Sequence, residues 1–295
     1  MTLRLWLGGA VLATACAAGS RGTPPAVPVP PAPTTTSVPE PPTTLARKSD
    51  AIRYGPSALR YVVHRRLHIQ QALGDQTQAQ DVGARIFVVA AITGPADSVG
   101  YPATFAVDSI AADSGTPAPI VENVNKVRKL VFAGRVTPRG EFVNGVASDS
   151  TVAQGVVQLL GNFRDFLPRL PSDGVKPGAA WVDTVESTQR GTGSEVSRHT
   201  VTQATAAGWE DHLGARTLRV AGSQTYQLTG GGKNAGQPFE LSGAGTGSGV
   251  AFIAADGRYL GGEWQDSTTL TVRLPVQGVA VPVVQVTHTT VAVLP

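Results

Sequence analysis

Apolar and polar residues alternate with a period of two along residues 59–73 and again along residues 82–92. In the first run, apolar side chains occupy odd positions and most polar side chains occupy even positions. Successive side chains of a β-strand point to opposite faces, so both runs predict half-buried strands. The apolar positions are Leu59, Tyr61, Val63, Leu67, Ile69 and Leu73 in the first run, and Val82, Ala84, Ile86, Val88, Ala90 and Ile92 in the second.

The dipeptide at 74–75, Gly-Asp, separates the two runs and predicts a two-residue hairpin turn. Leu73 then pairs with Gln76, and the same register places Leu67 opposite Val82. Both apolar faces fall on one side of this predicted hairpin.

Two histidines lie four residues apart on the polar face of the first predicted strand. On a strand, His64 and His68 are separated by ~13 Å, which is too far for two ligands of one metal ion. The hairpin register instead places Asp81 opposite His68. We interpret this face as solvated and predict no metal site.

Two segments carry apolar residues at helical spacing. The first begins after Pro119 and includes Ile120, Val124 and Val127. The second covers residues 151–167, follows a capping cluster at 148–150 and ends before proline. We expect its apolar stripe to pack on the sheet, with the alternative that it covers a ligand groove. The candidate groove residues are Val156, Leu160, Phe163 and Leu167.

Beyond Trp181 the chain is again strand-rich, with repeated turn signals. The predicted fold class is mainly β (α+β), with a long curved antiparallel sheet and one or two packed helices. Residues 136–145 resemble residues 253–262, since each segment places a glycine before an aromatic–aliphatic pair. This match suggests two related halves, 49–170 and 171–295, although unrelated hairpins share such turn chemistry.

Glycine occupies alternate positions from Gly243 to Gly249. As a strand, this segment would have one face without side chains, which another element or a ligand could approach. We favour a flexible loop. The spacing G-x-G-x-x-G fails here, so a dinucleotide-binding loop is excluded.

The amino-acid composition is most informative at the N terminus. Residues 1–15 contain one arginine and a short apolar run, which predicts an export signal rather than a membrane-spanning helix. The segment resembles a bacterial lipoprotein signal, which implies lipidation of Cys16, the single cysteine. Ordinary signal-peptidase cleavage after small residues is the alternative. Lipidation is favoured because it leaves no unpaired reactive thiol in an exported protein.

Residues 16–48 form the predicted tether. Nine of the 22 prolines lie between Pro24 and Pro42, a composition that favours extended polyproline II and cannot bury a core. The folding unit is therefore predicted at 49–295.

Charge and motifs exclude several classes of function. Charged residues make up 15% of the chain, against roughly 25% in soluble domains. A net charge of +3 is too small to indicate a nucleic-acid partner. No nucleophile-elbow, zinc-protease or calcium-loop motif occurs. The densest titratable cluster, 209–212, is interpreted as a polar turn. We predict no cofactor and no catalytic residue.

The segment from Leu170 to Trp181 (LPSDGVKPGAAW) resembles a recurrent motif of uncharacterised bacterial envelope lipoproteins. At fold level these are similar to the periplasmic lipoprotein-carrier (LolA/LolB-like) group. The resemblance implies a curved antiparallel sheet that wraps helices and encloses an apolar cavity.

The function expected is that of a membrane-anchored envelope lipoprotein, facing the periplasm or the cell surface. It would be a non-enzymatic binding module for an apolar or amphiphilic ligand. The alternatives are a structural or protein-interaction lipoprotein with a filled core and, third, an envelope hydrolase.

Overall fold

The computed structural model describes residues 51–73, 76–153, 163–191, 193–234 and 236–295. Within these ranges eleven strands form one antiparallel sheet. Their bounds are β1 Ser57–Leu73, β2 Gln76–Ile92, β3 Tyr101–Ala112, β4 Val131–Val136, β5 Phe142–Ala147, β6 Ala180–Gly191, β7 Ser194–His212, β8 Ala215–Asn234, β9 Gln237–Ala254, β10 Tyr259–Leu274 and β11 Val279–Leu294.

The sheet consists of two meanders joined by the last strand. Its order is β5-β4-β3-β2-β1-β11-β10-β9-β8-β7-β6, so β11 pairs with both β1 and β10. The predicted mainly antiparallel fold class is confirmed. Each meander contains five strands, and the common origin of the two halves stays a prediction.

The predicted hairpin of β1 and β2 is confirmed in register. Leu73 pairs with Gln76 and Leu67 with Val82, while the turn residues 74–75 lie outside the described ranges. His68 faces Asp81 as predicted, with 2.8 Å between its Nδ1 and a carboxylate oxygen. The strong alternation specifies this register because a slip of one residue would move every apolar side chain to the solvent face.

Helical structure is short in the described ranges. One α-helix, α1, covers Ala118–Asn125, and residues 150–153 are helical. A single 3-10 turn covers Phe163–Asp165. Of the helix predicted at 151–167, the central residues 154–162 lie outside the described ranges. No helix in the part of the chain that is described has the length and apolar character needed to cross a membrane.

The face of the sheet that carries the core, here the core face, holds two apolar clusters. The first apolar cluster is centred on β1–β3 and contains interlocked aromatic rings. Phe105 is fully buried and has ring centroids of Phe142, Phe163 and Phe166 within 5.3 Å. Such contacts add to the large free energy of burying the rings themselves.

The second apolar cluster lies at the other end of the long strands. It is formed by strand residues without a helix among its members. They are Val196, Tyr226, Leu228, Leu241, Leu270, Val272, Leu274, Val281 and Val283.

The segment that resembles the lipoprotein motif lies where the two meanders meet. Leu170 and Val175 are fully buried, and Val175 pairs with Ile52 ahead of β1. The Trp181 indole donates to the backbone carbonyl of Arg169. These contacts give the motif a structural role in fixing the start of the second meander.

The loop predicted at 243–249 is wrong, because these residues belong to the long strand β9. Their backbone pairs with β8 on one side and with β10 on the other. Two flanking strands satisfy the hydrogen-bonding groups of the glycine-rich backbone and hold it extended, which outweighs the low strand propensity of glycine.

Candidate functional site

On β8–β10 a band of polar side chains lies between the two apolar clusters of the core face, and Tyr226 belongs both to this band and to the second cluster. The band and the neighbouring side chains of β1 and β7 form one cluster. We call it the core-face polar cluster, and it consists of Arg65, Arg198, Gln224, Tyr226, Asp266 and Thr268.

The bare strand β9 allows this cluster to form. The register places Gly247 between Asp266 and Gln224. The Gln224 amide donates to the Asp266 carboxylate across β9, with 2.5 Å between the two atoms. Strands lie ~4.8 Å apart, so β8 and β10 side chains meet only if the strand between them presents little bulk.

The next cross-strand row repeats the arrangement. Gly245 lies between Tyr226 and Thr268, and their hydroxyl groups form a hydrogen bond over it. A Cβ atom at Gly245 would meet the Tyr226 ring, and one at Gly247 would meet the Asp266 carboxylate. The alternating glycines are therefore explained by close approach of neighbouring side chains.

Two guanidinium groups complete the cluster. Arg198 lies over the Tyr226 ring, 3.8 Å from the ring centroid, and its Nε donates to the Thr200 hydroxyl over 3.1 Å. This stacking holds the planar guanidinium in one orientation.

Arg65 comes from β1, five strand spacings from β7 in the sheet order. A flat sheet would separate these strands by ~24 Å. Arg198 nevertheless acts on the charge of Arg65, and residues of β1 and β7 share the first apolar cluster. The sheet therefore curls until the core faces of β1 and β7 lie near each other.

The charge of Arg65 is incompletely compensated. Burial lowers the pKa of the Arg65 guanidinium, nearby Asp266 raises it and Arg198 lowers it further. Arginine stays protonated in proteins despite such shifts. The side chain is partly accessible as a whole, but its Nε atom is buried and forms no hydrogen bond in the described part of the chain.

Tyr226 keeps its proton at neutral pH. Burial raises the pKa of its phenol, while the hydrogen bond with Thr268 lowers it, Asp266 raises it, and the two arginines lower it. The net direction is upward, so the hydroxyl group remains neutral and hydrogen-bonding.

A separate groove of about 510 Å³ lies mainly on the opposite, outer face of β7–β10. Its walls are neutral and consist mostly of hydroxyl and amide side chains. They are Val201, Gln203, Ser223, Gln224, Thr225, Thr246, Gly247, Ser248, Gln265 and Ser267. The groove offers hydrogen bonds but no charged group, which distinguishes it from the core-face polar cluster.

The two sequence-predicted groove residues that the structure describes lie elsewhere. Phe163 and Leu167 are buried in the first apolar cluster, and the Phe163 ring contacts those of Phe105 and Phe132. Val156 and Leu160 lie outside the described ranges, as does the predicted lipidation site Cys16.

The interpretation of 209–212 as a polar turn is wrong, because these residues are the last four of strand β7 and the turn follows at 213–214. The Arg216 guanidinium lies 4.6 Å from the Trp209 ring centroid, and His212 stacks on Phe252. Over the ranges described, no three His, Cys, Asp or Glu residues are grouped so that they could hold a metal ion.

Sequence reasoning missed the polar cluster, although the pattern contained a signal. Arg65 occupies an odd position between Val63 and Leu67, so a charged residue interrupts the apolar face of β1. Asp266 likewise shares the face of Leu270 in β10. A charge at an apolar-face position is the informative exception in an alternating strand.

A scan of the chain against protein-family models and a search of curated proteins both give no match. The core-face polar cluster is therefore interpreted from its own geometry.

Proposed function

We propose that this protein is a membrane-anchored binding module of the bacterial cell envelope that holds an amphiphilic ligand at its core face. One observation carries the proposal: the Arg65 guanidinium, whose Nε has no hydrogen-bond partner among the described residues, interrupts the apolar face of β1 beside the polar band that lies between the two apolar clusters on β8–β10. A buried polar group without a partner costs roughly 1–3 kcal/mol. A ligand with a polar group and an apolar chain would remove that cost and bury its chain beside the band.

The groups in the cluster suit holding rather than transforming a ligand. The guanidinium groups stay protonated, and the raised pKa of Tyr226 keeps its phenol neutral. Neither kind of group acts as a base at neutral pH, and the carboxylate of the cluster, Asp266, is already engaged as the acceptor of the Gln224 amide.

Anchoring remains part of the proposal. Lipidated Cys16 would attach the chain to the membrane, and the proline-rich segment 16–48 would act as a spacer. At ~3.1 Å per residue such a tether reaches up to about 100 Å. The folded unit could then meet ligands away from its own membrane surface.

Native mass spectrometry of the full chain, purified from bacterial membranes in a mild nonionic detergent, tests the proposal. We expect the protein to retain an added mass of lipid size that organic extraction releases. A protein that carries no such mass and binds no added long-chain amphiphile would contradict the proposal.

A second candidate is a protein-interaction lipoprotein with a filled core. Complete burial of Phe105 in β3 and of Leu218 in β8 favours it. Side chains therefore fill the first apolar cluster on the strands of both meanders. Exposed Val182 and Val284 lie on the outer face. A photo-crosslinker at either position should give one abundant adduct in the envelope if this function is correct, and only weak adducts if the protein binds amphiphiles.

A further inference from the structure

We infer that the core-face polar cluster is a site for the anionic group of an amphiphile, a carboxylate, phosphate or sulfate, with Arg65 as its main contact. This inference rests on the proposed function and specifies the charge of the ligand. It concerns a site on the core face, separate from the neutral groove of the outer face.

The balance of charge is the first argument. Arg65 and Arg198 carry two positive charges, and Asp266 is the carboxylate that acts on Arg65 among the described residues. Tyr226 faces them in its neutral form. Asp183 lies on the same face of β6 but is paired with Arg139 and Arg169. Among the described residues this leaves one positive charge for a ligand.

Hydrogen-bonding geometry is the second argument. A guanidinium presents its N–H groups as a planar fork that matches two oxygens of a carboxylate or phosphate. The Nε of Arg65 is the unused donor, whereas the Nε of Arg198 already donates to Thr200. An oxyanion at Arg65 would satisfy this donor and neutralise the charge in one step.

The apolar surroundings select an amphiphile over a free anion. Along β1, Arg65 is flanked by buried Val63 and Leu67. Arg198 lies opposite buried Leu228, which belongs to the second apolar cluster. A ligand whose charged group reaches these arginines therefore places its remaining atoms near apolar side chains.

Binding titrations with the full chain in nonionic micelles test the inference. The probes are dodecyl phosphate, dodecanol, dodecyltrimethylammonium and inorganic phosphate. Micelle partitioning is equal for all protein variants, so the ratios of their Kd values compare the proteins directly. We expect wild type to bind dodecyl phosphate at least about tenfold more tightly than the other probes, as a hydrogen-bonded charge pair predicts.

Three variants separate the site from general effects of charge. Arg65→Gln should weaken binding of dodecyl phosphate by about tenfold or more and leave binding of dodecanol unchanged. Arg66→Gln is the matched control, since Arg66 is the next residue of β1, is exposed and points to the outer face. Asp266→Asn should tighten dodecyl phosphate binding by about threefold, because it removes the competing negative charge.

The outcomes distinguish the inference from the proposed function. Equal binding of dodecyl phosphate and dodecanol, unaffected by Arg65→Gln, would overturn the anionic site and leave amphiphile binding intact. Equal binding of inorganic phosphate and dodecyl phosphate would overturn the role of the chain. Failure of all long-chain probes to bind wild type would refute both. A gain of affinity for dodecyl phosphate without a gain for dodecanol in Asp266→Asn would support the site even if Arg65→Gln does not fold, because apolar surface exposed by misfolding would strengthen binding of both probes.

Discussion

The two meanders cover their core faces in different ways. In the first, β1–β5, aromatic residues of the segment 163–167 pack onto the sheet and join the rings of its strands. In the second, β6–β10, side chains of β8 and β10 close over the bare face of β9.

The apolar cover contributes mainly to the stability of the fold, whereas the polar cover forms part of the proposed ligand site. An apolar cover excludes water and needs no partner groups, so the first meander gains mainly from burial. A polar cover is stable only while its hydrogen bonds are complete, and among the described residues the Nε of Arg65, which reaches this cover from β1, has none. We expect substitutions among the buried rings of the first apolar cluster to affect folding most, and those in the polar cover of β8–β10 to affect the ligand site as well.

The largest effect is expected for Phe105→Ala in the first apolar cluster. Phe105 is fully buried among other rings, and truncation of such a residue typically costs 3–5 kcal/mol, so we expect a loss of about 4 kcal/mol. Urea unfolding of the full chain at 25 °C measures it. Thr225→Ala, at an exposed site of β8, should change the free energy of unfolding by less than about 0.5 kcal/mol. Equal losses in the free energy of unfolding for Phe105→Ala and Thr225→Ala would contradict a dominant role of the first apolar cluster in stability.

A smaller loss is expected for Gly247→Ala in the second meander. The added Cβ would lie too close to the Asp266 carboxylate and would also approach the Gln224 amide, so the Asp266 side chain must shift, which weakens the hydrogen bond across β9. We expect a loss of ~1–3 kcal/mol in the free energy of unfolding, with weaker binding of dodecyl phosphate.

Gly208→Ala provides the matched control for this substitution. Gly208 lies within β7, and a Cβ there would meet open space. The control should change stability by at most about 0.5 kcal/mol. A Gly247→Ala protein as stable as this control would show that the glycines have a different role.

Alkaline pH tests the contact between Tyr54, which precedes β1, and Pro168, which precedes β6. Burial raises the pKa of Tyr54 well above its usual value, and its hydroxyl donates to the Pro168 carbonyl over 2.8 Å. In the unfolded chain Tyr54 ionises near pH ~10, whereas the folded state keeps its proton. The contribution of Tyr54 is therefore complete below pH ~10 and decreases as pH rises above it.

Tyr54→Phe should thus have two effects on urea unfolding. At pH 7 it removes one hydrogen bond and costs about 1 kcal/mol. Above pH ~10 the free energy of unfolding should fall less steeply than in wild type. Parallel curves for the two proteins between pH 9 and 11, values chosen to bracket about pH 10, would contradict a buried, protonated Tyr54.

The smallest effect is expected for Asp97, which lies between β2 and β3. A hydrogen bond from Arg135, with others from the backbone of Gly100 and Val99, lowers the pKa of Asp97 to about 2. Its contribution to stability is present above the unfolded value of ~3.9 and is lost as pH falls toward 2. Asp97→Asn should lower stability slightly at about pH 5 and above and change little at about pH 2.5, so the acid-side dependence becomes flatter than in wild type. A thermal melting series from pH 5 to 2.5, chosen around about pH 3.9, measures it.

Much of the first meander could be predicted from the sequence. The alternation along β1 and β2 and the dipeptide at 74–75 determine a hairpin whose register the structure reproduces. The glycine-rich run of β9 was misjudged, because its extended form depends on β8 and β10, which flank it only in the assembled sheet. Local propensity describes a residue without its neighbours in space, and for glycine the neighbours decide.

By itself the sequence determined which residues share a face, since side-chain direction in a strand follows from position alone. It thereby placed Arg65 and Asp266 on apolar faces without indicating that they are close together. Only the tertiary structure decided that, because the curl of the sheet accumulates from the twist of many strands and from packing at both apolar clusters. The proximity of Arg65 and Asp266 arises from the sum of these small rotations, so a local sequence pattern does not predict it.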